Sequence, residues 1–141
     1  MVDGAARGNP GEAGCGAVIF DASGRTIREL CRYLGYATNN VAEYEGLLMG
    51  LEEVLRSGGK RLRVESDSQL LVRQLNGLYR VKDKKLSQLH HQALGLLRHL
   101  EAYRIIHVPR EQNRLADKLA NRAIDEAGRR PKGSRFKGLE T

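Results

Sequence analysis

The chain has 141 residues, 40% of them apolar and 29% charged, which fits one globular domain with a core of its own. No apolar run reaches the roughly 18 residues of a membrane span and no signal-like segment opens the chain, so a cytoplasmic protein without a membrane partner is expected. A net charge of +7 points to a polyanionic partner without identifying one, and two cysteines, Cys15 and Cys31, are too few for a disulfide framework or a zinc site.

The first stretch, Asp3 to Gly11, reads as a carboxylate followed by a Gly/Asn/Pro-rich loop of the kind that brings backbone N–H groups close to a ligand. No phosphate-loop lysine follows it, which argues against a nucleoside triphosphate cradle. Only Met1 and Val2 precede Asp3. A short first strand is therefore expected, with Asp3 near a mobile end that an apolar extension would stabilise. Cys15 to Phe20 predicts a strand, Asp21 to Gly24 a turn, and Thr26 to Leu34 the return strand. Cys15 and Cys31 flank this hairpin nearly opposite each other. A cross-strand bridge is conceivable there, and two reduced half-buried thiols are the plainer expectation.

Polar residues 37–40 cap a helix from about Val41 to Arg56, with Tyr44, Leu47, Leu48, Leu51, Val54 and Leu55 on one face. Glu43 lies nearer that apolar stripe than Glu45, Glu52 or Glu53, and in line with Gly46 and Gly50, where another backbone can pass closely. The other three glutamates are expected on a solvated face. Ser57-Gly58-Gly59 stops the helix. A strand then rises through Leu62–Val64 towards Asp67, and Ser68 caps a helix reaching about Asn76. The loop 77–85 carries Arg80, Lys82, Lys84 and Lys85, and a helix from about Leu86 to Leu100 follows it. His90, His91 and His99 have no ligand partner at metal spacing. Tyr103 to Val108 is a strand on which His107 is expected to be buried. Residues 110–114 suit a flexible loop, and a last helix, about Leu115 to Ala127, packs through Leu115, Ala116, Leu119, Ala120, Ala123 and Ile124.

Asp67 follows a strand and precedes a helix N-terminus, the place where open α/β sheets bind ligands and ions. Asp3, Glu43 and Asp117 occupy comparable junctions, and the chain is expected to bring the four carboxylates together. The element order predicts an α/β domain with an antiparallel start and a parallel continuation. Residues 1–127 form the domain, and residues 128–141 form a basic tail expected to be disordered.

Asp3-Gly-Ala-Ala-Arg-Gly-Asn-Pro-Gly, Thr38-Asn-Asn-Val-Ala-Glu43, Glu65-Ser-Asp67-Ser-Gln and Asn113-Arg-Leu-Ala-Asp117 closely resemble the ordered motifs of type 1 ribonuclease H. The resemblance runs from Asp3 to about Ala127. It implies the ribonuclease H-like fold, a mixed five-stranded sheet flanked by helices, in a short prokaryotic-type member. It also implies endonucleolytic hydrolysis of the RNA strand of RNA–DNA hybrids, leaving a 5′-phosphomonoester, by a monomer with no obligate protein partner. The metal set is then Asp3, Glu43, Asp67 and Asp117, holding two Mg²⁺ ions for which Mn²⁺ is a possible substitute. Such hard ions prefer oxygen donors, and a cluster without Cys or His offers only those. Metal-free, like charges about 4 Å apart repel by roughly 4 kcal/mol at an effective dielectric of about 20.

By the same resemblance, Asp3 and Asp67 bridge or anchor the ions, Glu43 binds the one nearer the leaving group, and Asp117 holds the one carrying the attacking water. Asn9, Asn39, Asn40, Ser68 and Gln69 match positions that contact the strands, where amides can read a 2′-hydroxyl. Thr38 and Asn9 lie near a DNA phosphate, and Arg80, Lys82, Lys84 and Lys85 contact the DNA backbone. Two departures stand out. The loop before Asp117 carries Arg110 where many members have a histidine, making Arg110 the candidate for assisting phosphate departure. The basic handle of longer members is missing between Gly77 and Leu86, so substrate grip is expected to be more salt-dependent. A non-cleaving hybrid or double-stranded RNA binding module is the alternative, and a strand-transferase or integrase core is a second rival.

Overall fold

The computed structural model of the protein describes residues 1–128, so the predicted basic tail lies outside the described residues apart from Gly128. In chain order the elements are β1 (Val2–Gly8), β2 (Gly11–Phe20), β3 (Thr26–Ala37), α1 (Asn39–Arg56), β4 (Arg61–Ser66), α2 (Gln69–Leu75), α3 (Lys84–Leu97), β5 (Ala102–His107) and α4 (Arg114–Gly128). A 3₁₀ turn, Arg110–Gln112, precedes α4. The strands form one sheet in the order β3-β2-β1-β4-β5. The β1–β2 and β2–β3 pairs are antiparallel, whereas β1–β4 and β4–β5 are parallel. Short turns suffice for the first two connections, and the parallel strands are joined through helices, as they must be.

Alternation along β2 decides which helix covers which face. Cys15 meets α1 at Gly46, while Gly14 and Gly16 lie against the α4 backbone at Ala120 and Ala116. The helices α1 and α4 therefore sandwich β1 and β2, and α3 packs on α1. Between α1, α3 and the sheet lies the apolar core of Tyr44, Leu47, Leu51, Leu71, Leu89 and Leu97. The Tyr44 hydroxyl donates to Gln74 Oε1 at 2.7 Å, so the one polar atom of that buried ring is satisfied.

Several expectations are corrected. The stretch after Asp3 is a strand, with Gly4–Gly8 paired to Gly11–Cys15, and only Asn9 and Pro10 make the turn. The chain start is tied down: Val18 N–H donates to the Met1 carbonyl at 2.9 Å, and Asn113 Nδ2 donates to that of Val2 at 2.9 Å. Glu53 is buried rather than solvated, because Arg28 of β3 reaches it at 3.2 Å and Arg56 closes on its other oxygen. His107 and Leu115 are exposed, the first on an edge strand and the second on the outer side of α4. Cys15 pairs with Arg32 and Gly16 with Cys31, so the two thiols are offset by one residue and point to opposite faces. Both are free. Burial pushes the Cys15 thiol up to about 12.

Between β2 and β4 the sheet is open. Pairing of β1 with β4 is confined to Val2 and Ser66, so 61–65 of β4 have a partner only in β5. A cavity of about 380 Å³ fills the gap, floored by Leu47, Gly50, Leu51 and Val54 of α1. Among the described residues no helix is long and apolar enough to cross a membrane.

Candidate metal centre and nucleic-acid rim

Asp3 lies on the central strand and Glu43 in the second turn of α1, and two glycines let their backbones meet. A Cβ on Gly4 would fall 2.2 Å from the carbonyl carbon of Ala42, and one on Gly46 would fall 2.7 Å from the Asp3 carbonyl oxygen. The pass read from the sequence at Gly46 is thus where β1 crosses α1. Thr38 begins the helix one turn before Glu43, its hydroxyl accepting from Val41 N–H at 3.2 Å. Asp67 arrives from the other side. Ser66, the last residue of β4, pairs with Val2, which puts the next residue beside Asp3. The expected cap is present: the Ser68 hydroxyl accepts from Leu71 N–H at 3.2 Å, turning the chain into α2 directly after Asp67. Asp117 sits in the first turn of α4, as read, near enough to Asp3 to act on its carboxyl, but it does not join the group in which Asp3, Glu43 and Asp67 all meet, so three of the four expected carboxylates converge on one spot.

Carboxylate oxygens of Asp3, Glu43 and Asp67 all lie within 4.8 Å of one another. Burial raises the Asp3 carboxyl to about 8, with the Asp67 charge, a hydrogen bond that protonated Asp3 donates to Asp117 and the Asp117 charge adding to it and the Gly4 backbone N–H opposing it. Burial likewise holds Glu43 well above the usual carboxylate range, reinforced by Asp3 and Asp67. Like charges driven together in a desolvated place take up protons unless a cation replaces them. One oxygen, Glu43 Oε1, is buried with no hydrogen-bond partner, a state that costs free energy until a donor or a cation meets it. The donor set is carboxylate oxygen throughout, which fits a hard divalent ion such as Mg²⁺ and disfavours zinc.

On the α1 side of the cluster, Asn9 Oδ1 accepts from Asn39 N–H at 3.1 Å and Asn39 Oδ1 accepts from Ala6 N–H at 2.9 Å. These bonds tie the β1–β2 turn to the start of α1 through the side-chain oxygens of both residues. Asn40 is exposed beside them, and Gln69 is exposed next to Ser68 on the Asp67 side. Thr38, Asn9, Asn39 and Asn40 thus cluster at the start of α1, and Ser68 and Gln69 at the start of α2.

The basic residues are less closely drawn in. Arg80 and Lys82 lie in the connection 76–83, whereas Lys84 and Lys85 belong to the first turn of α3, which Asp83 caps. No hydrogen bond or ion pair among the described residues links these four to the carboxylates. In the same connection Tyr79 is held by Arg73, which lies 5.1 Å from its ring centroid and hydrogen-bonds its hydroxyl. Arg110 is exposed on the 3₁₀ turn, where a flexible loop was expected. Asn113 is the functional candidate that sequence reading missed, being fully buried. The available signal was an Asn directly before a helix, a preferred N-cap.

The chain matches the reverse transcriptase-like family over residues 1–123. It is 44% identical over 126 residues to a bifunctional protein of Mycobacterium tuberculosis, covering 89% of this chain and 35% of that protein. It is 41% identical over 125 residues to a ribonuclease HI of Halobacterium salinarum, covering 89% of this chain and 63% of that one. The chain therefore spans about a third to under two thirds of the length of these relatives. The N-terminal RNase H domain of the mycobacterial protein, solved as a maltose-binding-protein fusion, superposes with a TM-score of 0.86 at 42% identity, covering 88% of this chain and 95% of that one. An RNase H1 isolated from compost and solved with an RNA/DNA hybrid superposes with a TM-score of 0.85 at 42% identity, covering 89% and 95%.

Proposed function

The chain belongs to the type 1 ribonuclease H family, and from that premise we propose that it hydrolyses the RNA strand of RNA–DNA hybrids with two divalent cations. The observation that carries this reading is the convergence of Asp3, Glu43 and Asp67, from three different elements, to within 4.8 Å around an unpartnered Glu43 oxygen. A purely structural role for such a cluster is poor physics, since its members repel. The solved RNase H1 with a bound RNA/DNA hybrid supports the substrate.

In this reading Asp3 and Asp67 would anchor the ions, Glu43 would serve as a ligand towards the leaving group and Asp117 as a ligand towards the attacking water. When bound, the ions activate a water and stabilise the leaving oxygen of an in-line displacement. The protein's own part is to keep four oxygen ligands fixed before substrate arrives. Hence the rigid α1–β1 crossing matters as much as the ligands. Asn9, Thr38, Asn39 and Asn40 at the start of α1, and Ser68 and Gln69 at the start of α2, offer amides and hydroxyls to the 2′-hydroxyls and phosphates of the shallow minor groove. Arg80, Lys82, Lys84 and Lys85 neutralise DNA phosphates further along, which makes binding salt-dependent and largely blind to sequence. Arg110 assists departure of the phosphate product.

The test is cleavage of a labelled hybrid, a DNA duplex and single-stranded RNA, each with and without Mg²⁺. Mg²⁺-dependent scission of the RNA strand in the hybrid alone is the expected result. Tight hybrid binding without scission at any Mg²⁺ or Mn²⁺ concentration would make the chain a binding module instead.

A further inference from the structure

We propose that Asn113 is the positioning residue that holds the Asp117 carboxylate against Asp3 and so completes the metal site. The inference deepens the proposed function and rests on its assignment of Asp117 as a ligand.

Asn113 joins three parts of the site through one buried residue. Its Nδ2 donates to the Val2 carbonyl at 2.9 Å, directly before Asp3. Its carbonyl accepts from Asp117 N–H at 3.1 Å, and its own N–H donates to the Arg110 carbonyl at 2.9 Å. Val2 is itself held, since it pairs with Ala17 on one side and Ser66 on the other. Two hydrogen bonds therefore run from the fixed start of β1 to the backbone of Asp117.

The rest of α4 is held on the sheet by apolar packing and by half-exposed polar contacts. The α4 backbone at Ala116 and Ala120 lies on Gly16 and Gly14, with the Leu119, Ala123 and Ile124 side chains reaching the same two glycines. At the far end of α4, Arg7 pairs with Asp125 at 2.8 Å, but both are about half exposed, and such pairs hold weakly. Within α4, Asn121 Nδ2 donates to Asp117 Oδ1 at 3.3 Å, whereas Asn113 is the buried residue that ties this first turn to β1.

Its side chain is also not used as an ordinary helix cap. A capping Asn accepts a first-turn N–H through its oxygen. Here Oδ1 is buried with no donor, while the amide nitrogen goes to Val2. The group thus tolerates an unpaired acceptor in order to make the cross-element bond, the opposite of what helix stability alone favours.

Asn113→Ser separates the two roles, because serine caps helices well and is too short to span to Val2. Mn²⁺ binding by calorimetry and steady-state hybrid cleavage, both well below the melting temperature, are compared for wild type, Asn113→Ser, Asp117→Asn and the double variant. The expected result for Asn113→Ser is Mn²⁺ affinity weakened at least about fivefold and kcat lowered about tenfold, with KM within about twofold, the pattern of a lost transition-state contribution. In the Asp117→Asn background the same change should alter neither quantity by more than about twofold, since residues acting through one another are not additive. Unchanged Mn²⁺ affinity in Asn113→Ser, or an equal effect in both backgrounds, would overturn the proposal. A wild type that binds Mn²⁺ without cleaving still decides it by the binding arm. A wild type that binds no Mn²⁺ sinks both the metal site and the role of Asn113.

Discussion

At the Asp3 end of β1 the strand and α1 touch backbone to backbone, with Gly4 and Gly46 leaving no room for a methyl group. One helical turn further along α1, at Gly50, an added Cβ would meet only Ala17 Cβ and Val2 Cγ1, each at 3.4 Å. Beyond Gly50 lies the cavity between β2 and β4. The same two elements are thus packed to the limit at one end and loosely at the other. The difference follows the charges. Carboxylates that repel one another stay close only where the backbone leaves them no freedom to separate, and at the cavity end nothing pushes back.

The strongest way to break this contrast acts on the charges themselves. Asp67→Asn should leave the fold and hybrid binding intact while lowering cleavage at least a hundredfold, about 2.7 kcal/mol of barrier. Residual activity above about a tenth of wild type, a loss of only about 1.4 kcal/mol, would count decisively against the two-metal assignment. Next in size is Gly46→Ala. Its methyl must displace the Asp3 backbone, so chemical denaturation should report a loss of about 1–3 kcal/mol, and activity should fall with it. Wild-type stability in that variant would mean that the crossing is not rigid.

Arg110→Ala probes the exposed turn rather than the packed crossing. It should lower kcat about tenfold with little change in KM, and unchanged turnover would remove Arg110 from the site.

Smaller effects come from protonation. Without metal, Asp3 binds a proton more tightly in the folded protein, at about 8, than at its ordinary value of 3.8. The folded state therefore holds more protons than the unfolded one between those values. Stability from this group is complete below about pH 4 and is lost as pH rises through about 8. Melting curves in EDTA should fall across that window, and added Mg²⁺ should raise them most at its upper end. A melting temperature independent of both would show that the carboxylates do not repel.

The smallest change is the most diagnostic of the comparison. Gly50→Ala should raise stability by about 0.5–1 kcal/mol, because helical glycine is costly and the added methyl has space. If Gly46→Ala and Gly50→Ala shifted the denaturation midpoint alike, the two ends would not differ.

Local chemistry made the sequence readable where it was readable. Apolar periodicity located α1, α3 and α4, and cap residues Thr38 and Ser68 announced the starts of α1 and α2. Asp3, Glu43 and Asp67 were each recognisable as carboxylates at junctions, Glu43 because its position on the helix stripe did not suit a solvated face. What no local pattern could decide was which face or neighbour a residue would meet. Gly4–Gly8 read as a loop and became a strand because β2 supplied a partner. Glu53 read as solvated and was buried because Arg28 came from β3 to meet it. Cys15 and Cys31 read as opposed and lie on opposite faces because the pairing is offset by one residue. Asn113 read as loop and became a buried tie between α4 and β1. Periodicity and capping act over a few residues and are written in the chain. Register, crossing and burial depend on pairs of elements far apart in sequence, and exist only once both have folded onto each other.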